Sequence, residues 1–354
     1  MRIVDPMLAP ASPGRRRILK AVAGAAALGV LGGGGWFVAR RARNLFEVRR
    51  ERTLMQTTVA ITCLDEDVTR AGIAIDAAYV RMGAAVAVLT RFDPEGPVGR
   101  LNRTGRLEHP PRELRDVLGR SQAISALTDG DFDVSVLPVL RFFESLQVPV
   151  VLDAADREAV ARRDRLVNYR QITMDASGIR FAHPGMAITL DGLAKGYVID
   201  QGIAALQAGG IETALIDAGG DLRAISSDRQ PHQWHVGIID PADVNRMAAV
   251  VSTRNAALGT SGNYRIFYSA DRRLYHVINP HTGYSPQNYA SVTVMADNSM
   301  DADAMSVAAA SMPLRRVHEV LASQNQQWLL FARDGGRRWR SWDLPMVSGQ
   351  AEVA

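Results

Sequence analysis

Four residue types in this chain could do chemistry together: a near-solitary lysine, an aspartate in an alanine-rich stretch, a histidine ahead of Asn-Pro, and a small Thr-Ser-Gly segment. The chain has 39 arginines but only two lysines, Lys20 and Lys195. Lys195 lies where Thr189-Leu-Asp-Gly-Leu-Ala-Lys-Gly-Tyr197 turns into a helix, so backbone amides there can meet an anion and the ammonium can act as a point charge on phosphate. The structural alternative is a lysine whose stem covers a helix surface. Asp303, in Asp301-Ala-Asp-Ala-Met305, opens an alanine-rich helix where a carboxylate can face a cation. The alternative is a charge that only favours the helix dipole. His276 precedes Asn279-Pro280 on an expected strand; a neutral histidine can take a proton near pH 7, or serve the fold alone. Thr260-Ser261-Gly262 reads as a small turn suited to phosphate, and no G-x-S-x-G nucleophile elbow surrounds it.

The elements that must hold these residues follow from periodicity. Residues 56–63 read as a strand, and 68–89 as an amphipathic helix with Ile73, Ala77, Val80, Ala84 and Val88 on its stripe. A polar loop is expected over 94–99, a helix over 112–128, and a charged irregular stretch over 155–170. A hairpin is expected over 171–190, turning at 175–178, then a helix over 193–208 capped by Gly209-Gly210 and a buried strand over 211–218. Strands follow near 234–239, 248–253, 264–269, 273–279 and 290–296. Helices over 301–311 and 313–323, with Pro313 in the first turn, precede a closing hairpin over 327–332 and 337–342. Interleaved helices with hairpin-linked strands imply an α+β fold of mixed, largely antiparallel sheets packed with helices.

Composition narrows the function classes. The chain has 354 residues, 47% hydrophobic and 22% charged, an ordinary globular balance. A single cysteine, Cys63, excludes a disulfide framework. The net charge of +4 hides a split, because residues 1–52 carry about +8 and the remainder about −4. A mildly acidic body argues against nucleic acid as partner. Arg15-Arg16-Arg17-Ile-Leu-Lys20, followed by a weakly apolar run of about 19 residues from Ala21 to Ala39, looks like a twin-arginine export signal or an anchor contacting the export machinery or membrane. The expected organisation is a signal or anchor with a polar tether over 1–52, one domain over 53–345, and a tail over 346–354. The body is expected outside the cytoplasm, in the periplasm.

Several segments, taken in order, resemble the FAD:protein FMN transferases of the ApbE type. They are Thr90-Arg-Phe-Asp-Pro94 with Leu101-Asn102, Asp131-Phe-Asp-Val134, Leu190-Asp-Gly-Leu-Ala-Lys-Gly-Tyr197 with Asp200, Asp217-Ala-Gly-Gly-Asp-Leu-Arg223, Gly259-Thr-Ser-Gly-Asn-Tyr264, His276-Val-Ile-Asn-Pro-His-Thr-Gly283, and Ala302-Asp-Ala304. The resemblance implies an ApbE-like (T-fold-like) architecture. It also implies an extracytoplasmic enzyme that takes FAD as substrate with Mg2+, attaches FMN to a Ser or Thr of a membrane-associated redox protein, and releases AMP. By the same resemblance Asp303 and the Gly192 carbonyl are metal ligands, with Asp301 as a further carboxylate whose alternative is capping. Met55, Phe92, Asp131, Phe132, Asp133, Thr189, Lys195, Thr260, Ser261, His276 and Ile278 contact the dinucleotide, with His276 and Asp303 catalytic. Asp217–Asp221 is read chiefly as a close-packing strand end. Two departures stand out. Val307 occupies the place of a family threonine that supplies a hydroxyl ligand, and Thr189 the place of an aspartate. They keep two alternatives open: a protein that binds FAD without transferring flavin, and an FAD pyrophosphatase.

Overall fold

The computed structural model describes residues 41–42, 45–229, 231–334 and 336–353, so the export-signal reading of residues 15–39 lies outside the described residues. Strands β1 (Arg41–Ala42), β2 (Leu45–Leu54) and β3 (Thr57–Asp65) form an antiparallel run. Met55 and Gln56 make the β2–β3 turn with φ of 53° and 59°. Paired left-handed residues match the twist of a two-residue hairpin. Helices α1 (Val68–Leu89) and α2 (Pro97–Thr104), β4 (Arg106–Leu107) and α3 (Arg112–Leu127) follow. Next come α4 (Leu137–Ser145), α5 (Ala154–Asp164), β5 (Ile172–Asp175), β6 (Gly178–Phe181) and α6 (Ala194–Ala208). The chain then runs through β7 (Ala214–Ala218), β8 (Asp221–Ile225), β9 (Trp234–Asp240), β10 (Asp243–Thr253), β11 (Ala257–Gly262) and β12 (Tyr289–Ala296). Helices α7 (Ser299–Ser311) and α8 (Leu314–Ser323) lead into β13 (Gln327–Ala332), β14 (Arg338–Arg340), β15 (Met346–Gly349) and β16 (Glu352–Val353).

Ten strands form one sheet in the order β1-β2-β3-β7-β8-β11-β12-β13-β14-β16, antiparallel except for the β14–β16 pair. Two three-stranded sheets, β15-β10-β9 and β4-β6-β5, complete the fold. The architecture is thus α+β with mostly antiparallel pairing. Both faces of the large sheet are covered. On one face Ile61, Ile216, Val292, Val294 and Leu330 pack with Ile75, Met82, Ile199, Ile203 and Met305 from the helices. On the other, Leu222, Leu258, Met295, Leu329 and Phe331 meet Val236, Ile238 and Val251 of the β9–β10 sheet. This two-sided burial is why β12 is buried at every position, Ser291 and Thr293 included.

Several expectations need correction. In α1 the stripe expected to be buried faces outward, with Ile73 67% and Val80 72% exposed. The buried face carries Ala71, Ala74, Ile75, Ala78, Met82 and Ala85. α1 has apolar residues on every side, and its flatter alanine face allows the closer approach: methyl groups placed on Gly202 within α6 and on Gly209 at its C-cap would meet Met82 and Ala74 at 2.8 Å. The 94–99 loop ends in α2, started by Pro97. The charged stretch 155–170 holds α5, nucleated by a capping box between Asp153 and Asp156. Residues 264–269 and 273–279 form no strands and share one bridge, Phe267–Tyr275, so His276 sits on a loop. Thr260, Ser261 and Gly262 lie within β11 and form no turn. The stretch read as a tether supplies β2, and residues 346–353 pair with β10 and β14.

Candidate functional site

The site is built where α7 is wedged between α6 and β11. A methyl group on Gly196 would stand 2.1 Å from the Ser299 carbonyl oxygen, and one on Gly259 would stand 2.5 Å from the Asp303 nitrogen. Only glycine permits either approach. The first turn of α7 is fixed from α6 as well: Asp200 accepts the Ser299 and Met300 N–H groups at 3.0 Å each and takes Arg223 at 2.5 Å. Asn298 caps the helix by accepting the Asp301 N–H at 2.8 Å. These constraints place the Asp303 carboxylate, 5% exposed, against the start of α6, where it accepts the Gly196 N–H at 3.1 Å.

Lys195, one residue earlier, pairs its ammonium with Asp221 at the start of β8. Asp221 also accepts the Thr260 N–H at 2.8 Å. Two buried carboxylates therefore share the field of one ammonium. Burial, and then the Asp221 charge, push the Asp303 carboxyl up to about 8, although Lys195 and the Gly196 amide pull the other way. Burial opposes the Lys195 charge, but Asp221 and Asp303 outweigh it and raise its proton affinity. The pocket is short of positive charge, which fits a hard cation. Among the described residues no three His, Cys, Asp or Glu side chains converge as a ready metal cage. An ion here would take one or two carboxylates and complete its shell with carbonyl, water and phosphate oxygens, the habit of magnesium.

Gly192 belongs to this site. A methyl group on it would stand 3.3 Å from Val307 Cγ2 and 3.4 Å from Phe132 Cε2. Val307 lies one turn beyond Asp303, so the missing hydroxyl falls beside both expected ligands. The turn carrying Gly192 is held tightly. Asn102 pairs with both backbone groups of Ile188 at 2.7 and 2.8 Å, and the Thr189 N–H donates to the Val134 carbonyl at 2.8 Å. Thr189 Oγ1 accepts the Asp191 N–H at 3.1 Å, so this hydroxyl shapes the turn. Arg91 bridges Asp191 at 2.7 Å and Glu144 at 2.5 Å and lies over the Phe92 ring at 4.3 Å, which brings the exposed Phe92 beside the same turn.

His276 is half-buried, and burial, with Lys195 and Arg265 adding to it, keeps its ring below the usual histidine range. Its Nδ1 faces the Ile266 carbonyl oxygen at 3.2 Å. A carbonyl only accepts, so Nδ1 carries the proton and Nε2 keeps the free lone pair.

Other expected contacts are committed to the scaffold. Asp301 receives Arg120 on both oxygens at 2.7 and 2.8 Å and the capping Asn298 amide at 2.9 Å, so its side chain is held by an ion pair across to α3. Asp131 binds Arg316 at 2.9 Å and His281 at 3.2 Å. Asp133 accepts the Ser135 and Tyr169 N–H groups at 2.8 Å each, ahead of α4. Ser261 shares a 2.8 Å hydrogen bond with Ser306, whose hydroxyl donates to the Asp303 carbonyl at 2.8 Å, and Thr260 pairs with Thr293 at 3.0 Å. The first braces α7 against β11, and the second ties β11 to β12. Ile278 is buried among Val139, Phe143 and Tyr268, and Met55 sits half-buried in the β2–β3 turn. The residue that sequence reasoning undervalued is Asp221. The signal was available, because the body's one lysine needs a counter-charge and a carboxylate after two glycines can approach it. Those glycines, Gly219 and Gly220, have φ of 68° and 110°.

Comparison with known proteins identifies the family. Residues 55–330 match the model of the ApbE family. The FAD:protein FMN transferase of Haemophilus influenzae is 26% identical over 262 residues, covering 71% of this chain and 76% of that protein. The Treponema pallidum protein of the same name is 34% identical over 170 residues, covering 43% and 46%. Among solved structures, the ApbE protein of Thermotoga maritima superposes with a TM-score of 0.75 at 24% identity, covering 84% of this chain and 97% of that one. The flavin transferase ApbE of Vibrio cholerae gives 0.71 at 23%, covering 84% and 98%. By its sequence over residues 55–330 and by its fold, this chain belongs to the ApbE family.

Proposed function

We propose that this protein is an FAD:protein FMN transferase. It moves FMN from FAD to a Ser or Thr hydroxyl of an acceptor protein and releases AMP. The observation that carries the reading is the buried Asp303–Lys195–Asp221 cluster beside the Gly192 turn, in a chain of the ApbE family.

The acceptor hydroxyl attacks the FMN-side phosphorus of the diphosphate, one P–O bond forms, and the bond to the AMP phosphate breaks. His276 Nε2 takes the hydroxyl proton. Charge gathers on the phosphate oxygens, where Lys195 and the amides entering α6 stabilise it. Asp303, with the Gly192 carbonyl, would hold a magnesium ion, which supplies counter-charge to the diphosphate when bound. Phe92 offers flat apolar surface for the flavin ring, while Phe132, expected beside it, is buried in the core next to the Gly192 turn. The acceptor is a membrane-associated redox protein and the site of action is the periplasm. Support for the location comes from the twin-arginine pattern at Arg15–Lys20 and the apolar run that follows.

Val307 and Thr189 favour a second reading, FAD binding without transfer, because each withdraws a group that the family uses at the reacting end. Product analysis separates the readings. Incubated with FAD and magnesium but no acceptor, a transferase leaves most FAD intact; adding acceptor releases AMP in step with protein-bound flavin. AMP and free FMN without acceptor would mean hydrolysis, and tight binding with no AMP in either case would mean carriage alone.

A further inference from the structure

Asp221 has no part in the chemistry just described, yet it is built as a fixed support. It is 1% exposed and opens β8, a strand paired on both sides. Gly219 and Gly220 deliver it through left-handed backbone, and the Thr260 N–H locks one of its oxygens at 2.8 Å. The other oxygen faces the Lys195 ammonium. The lysine side chain is 30% exposed, while its partner is buried. An ammonium has three donors. Asp221 is its one ion-pair partner among the described residues, which leaves donors for a ligand. A lysine stem has four rotatable bonds and loses much freedom when ordered, and a strand-borne carboxylate meets that cost before substrate arrives. Burying a carboxylate against a half-exposed lysine is poor value for stability alone, since apolar residues of similar volume would serve the fold as well or better.

We propose that Asp221 is a positioning residue that holds Lys195 in the rotamer presenting its free N–H donors to the diphosphate of the dinucleotide substrate. The inference rests on the flavin-transfer reading for the identity of that substrate. It implies that Asp221 matters for ligands carrying phosphate and not for the flavin ring.

The test uses Asp221→Asn in the full chain, because asparagine keeps the acceptor for Thr260 and removes the charge. FAD and riboflavin binding are measured by flavin fluorescence without acceptor. The expected result is an FAD affinity weaker by about tenfold with riboflavin unchanged. Lys195→Gln should give the same pattern, and the double variant should be no worse than Lys195→Gln alone. Unaltered FAD affinity, equal loss of both ligands, or additive losses overturn the proposal. A second measurement needs no variant. Lys195 is the one lysine after residue 20, so acylation of its amine can be followed by peptide mass spectrometry. FAD should slow that acylation and riboflavin should not; equal protection by the two, or none, contradicts the proposal. If FAD binding follows this pattern but no flavin reaches an acceptor, the transfer reading fails and the role of Asp221 stands. A protein that binds no FAD overturns both.

Discussion

Replacing Asp303 by asparagine separates what this carboxylate does for function from what it costs the fold. Its proton affinity is raised from the ordinary 3.8 to about 8, first by burial and then by the neighbouring Asp221. Between those values the folded state binds more protons than the unfolded state, so stability falls as pH rises, from its full value below about pH 4 until pH 8. The limiting slope is about 1.4 kcal/mol per pH unit. Lys195 shares the field and the pocket relaxes, so the loss between pH 5 and pH 7 is on the order of 1–2 kcal/mol. Asparagine keeps an acceptor for the Gly196 N–H and carries no charge. In EDTA at pH 7 Asp303→Asn should therefore be more stable than the parent by about 1–3 kcal/mol, with the gap closing toward pH 5. Urea unfolding at the two pH values measures this directly. Added magnesium should stabilise the parent by mass action and leave the variant unmoved. Flavin transfer should be lost. Parent and variant stabilities that run parallel with pH would refute the assignment of Asp303 as a charge-starved site.

Three further outcomes follow from the geometry. Val307→Thr keeps side-chain shape, so stability without metal should fall by no more than about 1 kcal/mol, while calorimetric Mn2+ affinity should rise several-fold; unchanged affinity would show that the valine does not weaken the site. Asp301→Ala should cost about 1–3 kcal/mol through the lost Arg120 ion pair and the lost bond from the capping Asn298 amide, yet keep the magnesium-dependent rise in Tm; loss of that rise would restore Asp301 as a ligand. Because burial holds His276 low, the acid limb of the pH–rate profile should lie below 6.5, and His276→Gln should erase that limb and slow transfer by about 10²–10⁴-fold. A limb at or above 6.5 would remove His276 as the base.

Much of the site was legible because its constraints are local. The turn at 189–197 announced itself by glycines and an isolated lysine, while Asp303 stood out through the family resemblance. Failures came where the deciding contact is distant in sequence. Helix α1 has apolar residues on every side, so periodicity could not say which face α6 would cover. Asp301 and Asp303 look equivalent in sequence, and only Arg120 on α3 and Gly196 on α6 tell them apart. Thr260 and Ser261 resemble a loop by composition, but their strand is set by pairing with β12 and by the closeness of α7. Asp221 was hidden for the same reason, since the lysine it serves lies 26 residues earlier in the chain.

The central claim is that FAD is split here toward a protein hydroxyl. Its most direct measurement is intact-mass spectrometry of a membrane redox subunit bearing a Ser/Thr target, incubated with FAD and magnesium and either this protein or its Asp303→Ala variant. The account requires a covalent gain of one FMN on a single hydroxyl, matched by AMP, with the parent alone. An acceptor that gains no flavin, or gains it equally with the variant, would contradict it.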